Sequence, residues 1–98
     1  MELFEKLYDE NETVKVRFVG FTSGEIRFDY CIVYTNMFFG KPLVICMQTG
    51  RSTVLELRDI QHYEYLQNIF KIEYHHAIEL AEFLKETLPE VPFMAEYE

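Results

Sequence analysis

The chain has 98 residues and a net charge of −8, with 49% hydrophobic and 16% aromatic residues. That length fits one compact domain burying roughly two thirds of its unfolded surface, and the apolar content excludes a disordered chain. No apolar run is long enough to cross a bilayer and no basic start leads into an apolar stretch, so we expect no membrane span, no signal peptide and a cytoplasmic setting.

The charge is unevenly placed. Residues 1–12 carry five acids and one base, residues 73–98 carry seven acids and one base, and residues 13–72 carry five acids against seven bases. Affinity for phosphate backbones comes chiefly from clustered Lys and Arg, so no nucleic-acid partner is expected. Cys31 and Cys46 fall in apolar strand-like runs, where reduced thiols act as small hydrophobes.

In chain order, Leu3, Phe4, Leu7 and Tyr8 recur at helical spacing, which predicts a short amphipathic helix over residues 1–9 that serves as a lid on the core. From Thr13 to Phe21 the period becomes two, with Val14, Val16 and Phe18 on one face and Lys15 and Arg17 on the other. Residues 25–34 alternate likewise, with Ile26, Phe28, Tyr30, Ile32 and Tyr34 inward. Thr22-Ser23-Gly24 between them suits a three-residue hairpin loop, which sets Phe18 opposite Phe28 and Arg17 opposite Asp29.

The next connection, YTNMFFGKP over residues 34–42, carries Met37, Phe38 and Phe39 where a polar loop is expected. Leu43 to Met47 is apolar on both faces, as in a strand covered on both sides. Either Leu43, Ile45 and Met47 or Val44 and Cys46 face the core. A tight turn at Gly50-Arg51 leads to a fourth strand over residues 53–57. Residues 64–70 and 74–88 read as helices, the longer one ended by Pro89 and carrying a stripe of Ala77, Leu80, Ala81, Leu84 and Leu88. Residues 89–98 read as a tail. The expected fold is a single α+β domain over residues 1–98: a four-stranded antiparallel meander within residues 13–58, with an N-terminal helix and two C-terminal helices chiefly on one face.

Candidate chemistry is sparse. His75, His76 and Glu79 share one helix and form a weak metal site, set against a solvated His–Glu pair beside a packed His, so no resident metal is expected. Arg51, Ser52 and Thr53 at a glycine turn form an alternative anion site, although the same residues are what a hairpin turn requires. Both serines fall in turns, and no cysteine has a nearby histidine in sequence, so neither a catalytic residue nor a cofactor is expected.

The apolar excess is the informative feature. One helical layer cannot cover both faces of this sheet, and an apolar area above a few hundred Å² usually marks a partner surface. The economical expectation is a non-enzymatic interaction module that homodimerises through Val33, Met37, Phe38, Phe39, Ile45 and Met47.

The segments VRFVGF, VYTNMFFGKPLVICMQTGRS, EYLQNIF and AIELAEFLKETLP resemble, along nearly the whole chain, a family of small cytosolic proteins of unknown function from low-GC Gram-positive bacteria. The resemblance implies a bacterial cytoplasmic setting and carries no catalytic residues with it.

Overall fold

The computed structural model describes residues 3–88; the tail expected over residues 89–98 lies outside them. A four-stranded antiparallel sheet, ordered β1-β2-β3-β4, is built from β1 (Lys15–Ser23), β2 (Ile26–Tyr34), β3 (Leu43–Cys46) and β4 (Ser52–Val54). A 3-10 turn over Leu57–Gln61 follows, then helices α1 (Tyr63–Phe70) and α2 (Tyr74–Lys85). The expected meander with two helices after it is present.

The core lies on one side of the sheet. Phe28, Tyr30, Ile32 and Tyr34 alternate inward along β2, joined by Val44 and Cys46 of β3 and by Leu55. The helical layer meets them with Ile60, Leu66, Phe70, Ala77, Leu80 and Leu84, all buried. Ring contacts tie the layers together: Tyr30 meets Phe70 edge-on at 5.3 Å, and Phe28 meets His76 at 5.0 Å. α1 ends at Lys71, whose left-handed backbone (φ 57°) turns the chain into α2 without a glycine.

Three expectations are corrected. Among the described residues the N-terminal helix is absent: residues 5–14 have no regular secondary structure, and Leu3, Phe4, Leu7 and Tyr8 are exposed. A helix this short is marginal in water without a surface to pack on, and the core face of the sheet is already filled by α1 and α2.

The first hairpin also has another register. Gly24 (φ 65°) and Glu25 form a two-residue loop, pairing Ser23 with Ile26 and Phe21 with Phe28. Positive φ at the first loop position only is the II′ geometry, whose twist matches that of the strands. The register differs from the expected one by an odd number of residues, which turns every β1 side chain to the other face. Phe18 therefore opposes Cys31, and Arg17 opposes Ile32. Val19 and Phe21 point inward instead, with Phe21 stacked on Phe28 at 5.0 Å and against Phe83 at 4.9 Å. Lys15 and Arg17 stay wet at the sheet edge. Arg17 Nη1 donates to the Thr87 carbonyl beyond the C-terminal end of α2, where a cation is favoured, and the Lys15 ammonium sits over the Tyr34 ring.

The third correction concerns the last hairpin, whose turn occupies residues 47–49, with Gly50 at φ 82°, and β4 covers Ser52–Val54, ending well short of the expected residue 57.

Tyr30 is fully buried, and among the described residues its hydroxyl has no hydrogen-bond partner of ordinary geometry. Burial pushes its phenol pKa up, with the Cys46 thiol adding to the shift. An unpaired buried polar group costs on the order of 1–3 kcal/mol. Tyr30→Phe is therefore expected to raise stability by about 1 kcal/mol, read as a higher melting temperature; a lower one would mean that the hydroxyl is satisfied in solution.

Candidate functional site

With the helices of the described residues on one side, those residues leave the other side of the sheet open. Alternation and register place two rows across it. The first is Val16, Val33, Leu43 and Val54, paired strand to strand; the second is Phe18, Cys31, Ile45 and Ser52. Cys31, Val33, Leu43, Ile45 and Val54 are half-buried by their neighbours. Phe18 stands 72% exposed, and Met47 just beyond β3 is 52% exposed. These are the largest apolar groups of the face, and among the described residues no layer lies over them.

Toward the first hairpin the same face becomes polar. Asp29 Oδ2 accepts from Arg27 Nε at 2.8 Å and from Gln48 Nε2 at 2.7 Å, while Gln48 Oε1 accepts from the Asp29 backbone N–H. Gly20 lies opposite Asp29, and a Cβ there would meet Asp29 Oδ1 at 2.7 Å, so only glycine leaves room for this network.

At the far end of the sheet the β2–β3 connection projects its apolar residues outward. Gly40 and Pro42 are buried, whereas Met37 and Phe38 are partly exposed and Phe39 is 80% exposed. Phe39 has a left-handed backbone (φ 58°), which is uncommon for a bulky residue and disfavoured. The loop is held by its neighbours: Lys41 N–H donates to the Phe38 carbonyl, and Met37 N–H donates to Thr35 Oγ1.

Glu12 braces the same end. Its carboxylate accepts from Thr35 Oγ1 at 2.6 Å and from Asn36 N–H at 2.7 Å. The Asn36 amide, then the Thr35 hydroxyl, lower the Glu12 pKa. A depressed carboxylate stabilises the fold above its unfolded pKa, and that contribution is lost as pH falls through the folded pKa. The Asn36 amide is thus expected to show a chemical-shift transition below the ordinary glutamate range, one that Glu12→Gln abolishes. A transition surviving in Glu12→Gln would contradict this assignment.

Val33, Ile45 and Met47 thus share the open face, and Met37, Phe38 and Phe39 stand together at its end. Leu43 joins the open face while Val44 and Cys46 go to the core, which settles the two-sided strand. Sequence reading missed Val16 and Phe18, assigned inward, and also Val54. The hairpin loop length was the signal that separated the two assignments.

The alternative sites fare differently. At the glycine turn, Gly50 N–H donates to the Cys46 carbonyl and Arg51 N–H to Thr49 Oγ1, while the Thr53 hydroxyl bonds the Tyr65 hydroxyl at 2.7 Å. The donors an anion would need are engaged internally, leaving the Arg51 guanidinium and Ser52. Around the histidines the grouping is Glu73, His75 and His76, whose ligand atoms lie within 4.8 Å of one another; Glu79 is not among them. His75 Nδ1 is 3.5 Å from a Glu73 oxygen, and His76 is buried against Phe28. Glu73 stands at the N-terminal end of α2, where the helix dipole disfavours a cation.

A family model described as SAV0927-like matches residues 7–86, which include the whole sheet and both helices. No curated protein matches the chain.

Proposed function

For this chain, which belongs to the SAV0927-like family, we propose the function of a non-enzymatic interaction module that homodimerises through the open face of its sheet. The observation that carries this reading is the uncovered double row with Phe18 and Met47 exposed upon it. Apolar surface of this kind is unfavourable in water at about 25 cal/mol per Å². A closed two-fold pair is the commonest way for a small chain to remove it. The Met37–Phe39 loop extends the same apolar surface beyond the end of the strands, and its exposed aromatic on a disfavoured backbone is the kind of rigid group that anchors interfaces.

A cytoplasmic setting in a Gram-positive bacterium, a further protein partner, and the absence of nucleic-acid or membrane partners belong to the same reading. No helix among the described residues is long and apolar enough to cross a membrane. Light scattering across a dilution series tests the dimer: one is expected at tens of micromolar, and a monomer throughout would refute it. The anion site at Arg51, Ser52 and Thr53 and the metal site at His75 and His76, with Glu73 in place of Glu79, are minor alternatives. Phosphate and zinc are expected to leave the melting temperature unchanged, and a ligand-dependent rise with either would revive its site.

A further inference from the structure

The largest unexplained feature outside the open face is the segment before β1. Leu3, Phe4, Leu7 and Tyr8 are 66–90% exposed, more than any core-forming sequence requires. Their spacing remains that of an amphipathic helix, since residues separated by three and four positions share a face. An amphipathic stretch that stays non-helical in the subunit lacks a surface to fold upon.

The open face also lacks cover, and its own dimensions limit what a second sheet can supply. Four strands about 4.8 Å apart span roughly 14 Å, so the face offers a few hundred Å² at most. A stable dimer buries about 800 Å² on each partner. Two sheets pressed together therefore fall short, and four large side chains from another element would supply much of the remainder. A two-turn helix is about 12 Å long, close to the width of the sheet.

The arm has a fixed base, because Glu12 is bonded to Thr35 and Asn36 beside the Met37–Phe39 loop. In the single subunit the arm leaves its own open face uncovered, although ten residues of chain are long enough to reach it.

We infer that residues 3–10 form a docking arm that folds as a helix on the open face of a second copy of the chain, against Val16, Val33, Leu43 and Val54. The inference rests on the dimer reading above and adds the element that completes its interface. Each copy then both donates an arm and receives one, as two-fold symmetry requires.

Two measurements on the full-length chain test it. Leu7→Cys, oxidised beside native Cys31, is expected to give a disulfide-linked dimer in which the thiol introduced at position 7 of one copy is bonded to Cys31 of the other, identified by mass spectrometry of mixed isotope-labelled protein. The same bond within one copy, or no more linkage than in a Leu7→Cys/Cys31→Ala control, would overturn the arm exchange. Phe4→Ser/Leu7→Ser alters only exposed residues and is expected to weaken dimerisation at least tenfold. An unchanged dimer would overturn the arm while leaving the open-face dimer standing. A wild-type chain that is monomeric at every concentration would instead remove the dimer reading itself.

Discussion

Phe18→Asp is expected to leave the subunit folded and to weaken its self-association by at least about 30-fold, equivalent to roughly 2 kcal/mol or more. Phe18 is 72% exposed in the subunit, so its replacement removes little packing there. Surface substitutions of this kind usually change stability by less than about 0.5 kcal/mol. At a dimer interface the same side chain occupies the middle of an apolar row beside Cys31 and Ile45. An aspartate there must be desolvated without a partner or keep the surfaces apart. Sedimentation equilibrium measures the association, and circular dichroism measures the fold. Retained dimerisation would move the interface away from this face, whereas simultaneous loss of fold would mean that Phe18 is a core residue after all.

Leu80→Ala is expected to act in the opposite sense, on the subunit itself. Leu80 is fully buried in α2 and belongs to the single core cluster beneath the sheet. Removing a buried leucine side chain costs about 2–5 kcal/mol through lost transfer energy and residual cavity. A domain of this size has a total stability of roughly 5–15 kcal/mol, so the change takes a large share of it. Each kcal/mol corresponds to about 4–8 °C in melting temperature at this length, and a fall of at least about 8 °C is expected. A fall of less than about 3 °C would mean that the helical layer is not docked on the sheet as described. The pair of variants separates the covered face from the open one.

The helical layer was legible because its apolar residues repeat at only one phase. Ala77, Leu80, Ala81 and Leu84 form one stripe on α2, and all four are buried. β2 was equally clear, with Phe28, Tyr30, Ile32 and Tyr34 alternating without a break. β1 was not, because it is apolar at both phases: Val16 and Phe18 compete with Val19 and Phe21 for the inner face. Only the loop length decides, and Gly24 at the first position of a two-residue turn serves the fold as well as Gly24 at the last position of a longer one. The choice between the two reversed the faces of the whole strand.

The short elements escaped for other physical reasons. The 3-10 turn at Leu57–Gln61 is too brief to show a period; its entry is held by the Asp59 carboxylate accepting from the Glu56 N–H. The left-handed Lys71 carries no glycine to mark it. In the candidate site, the existence of an uncovered apolar face followed from counting layers, and the exposure of Met37–Phe39 agreed with the odd chemistry of that loop. The contribution of Val16 and Phe18 depended on register, which composition does not report.

The central claim is that a second copy covers the open face, and Cys31 tests it most directly. Cys31 is half-buried in the subunit between Phe18 and Ile45, while Cys46 is buried on the core face. The rate constant for maleimide alkylation of Cys31 is expected to fall as protein concentration rises through the dimerisation range, with Cys46 unreactive throughout. A Cys31 rate constant independent of concentration, from nanomolar to hundreds of micromolar, would contradict the claim.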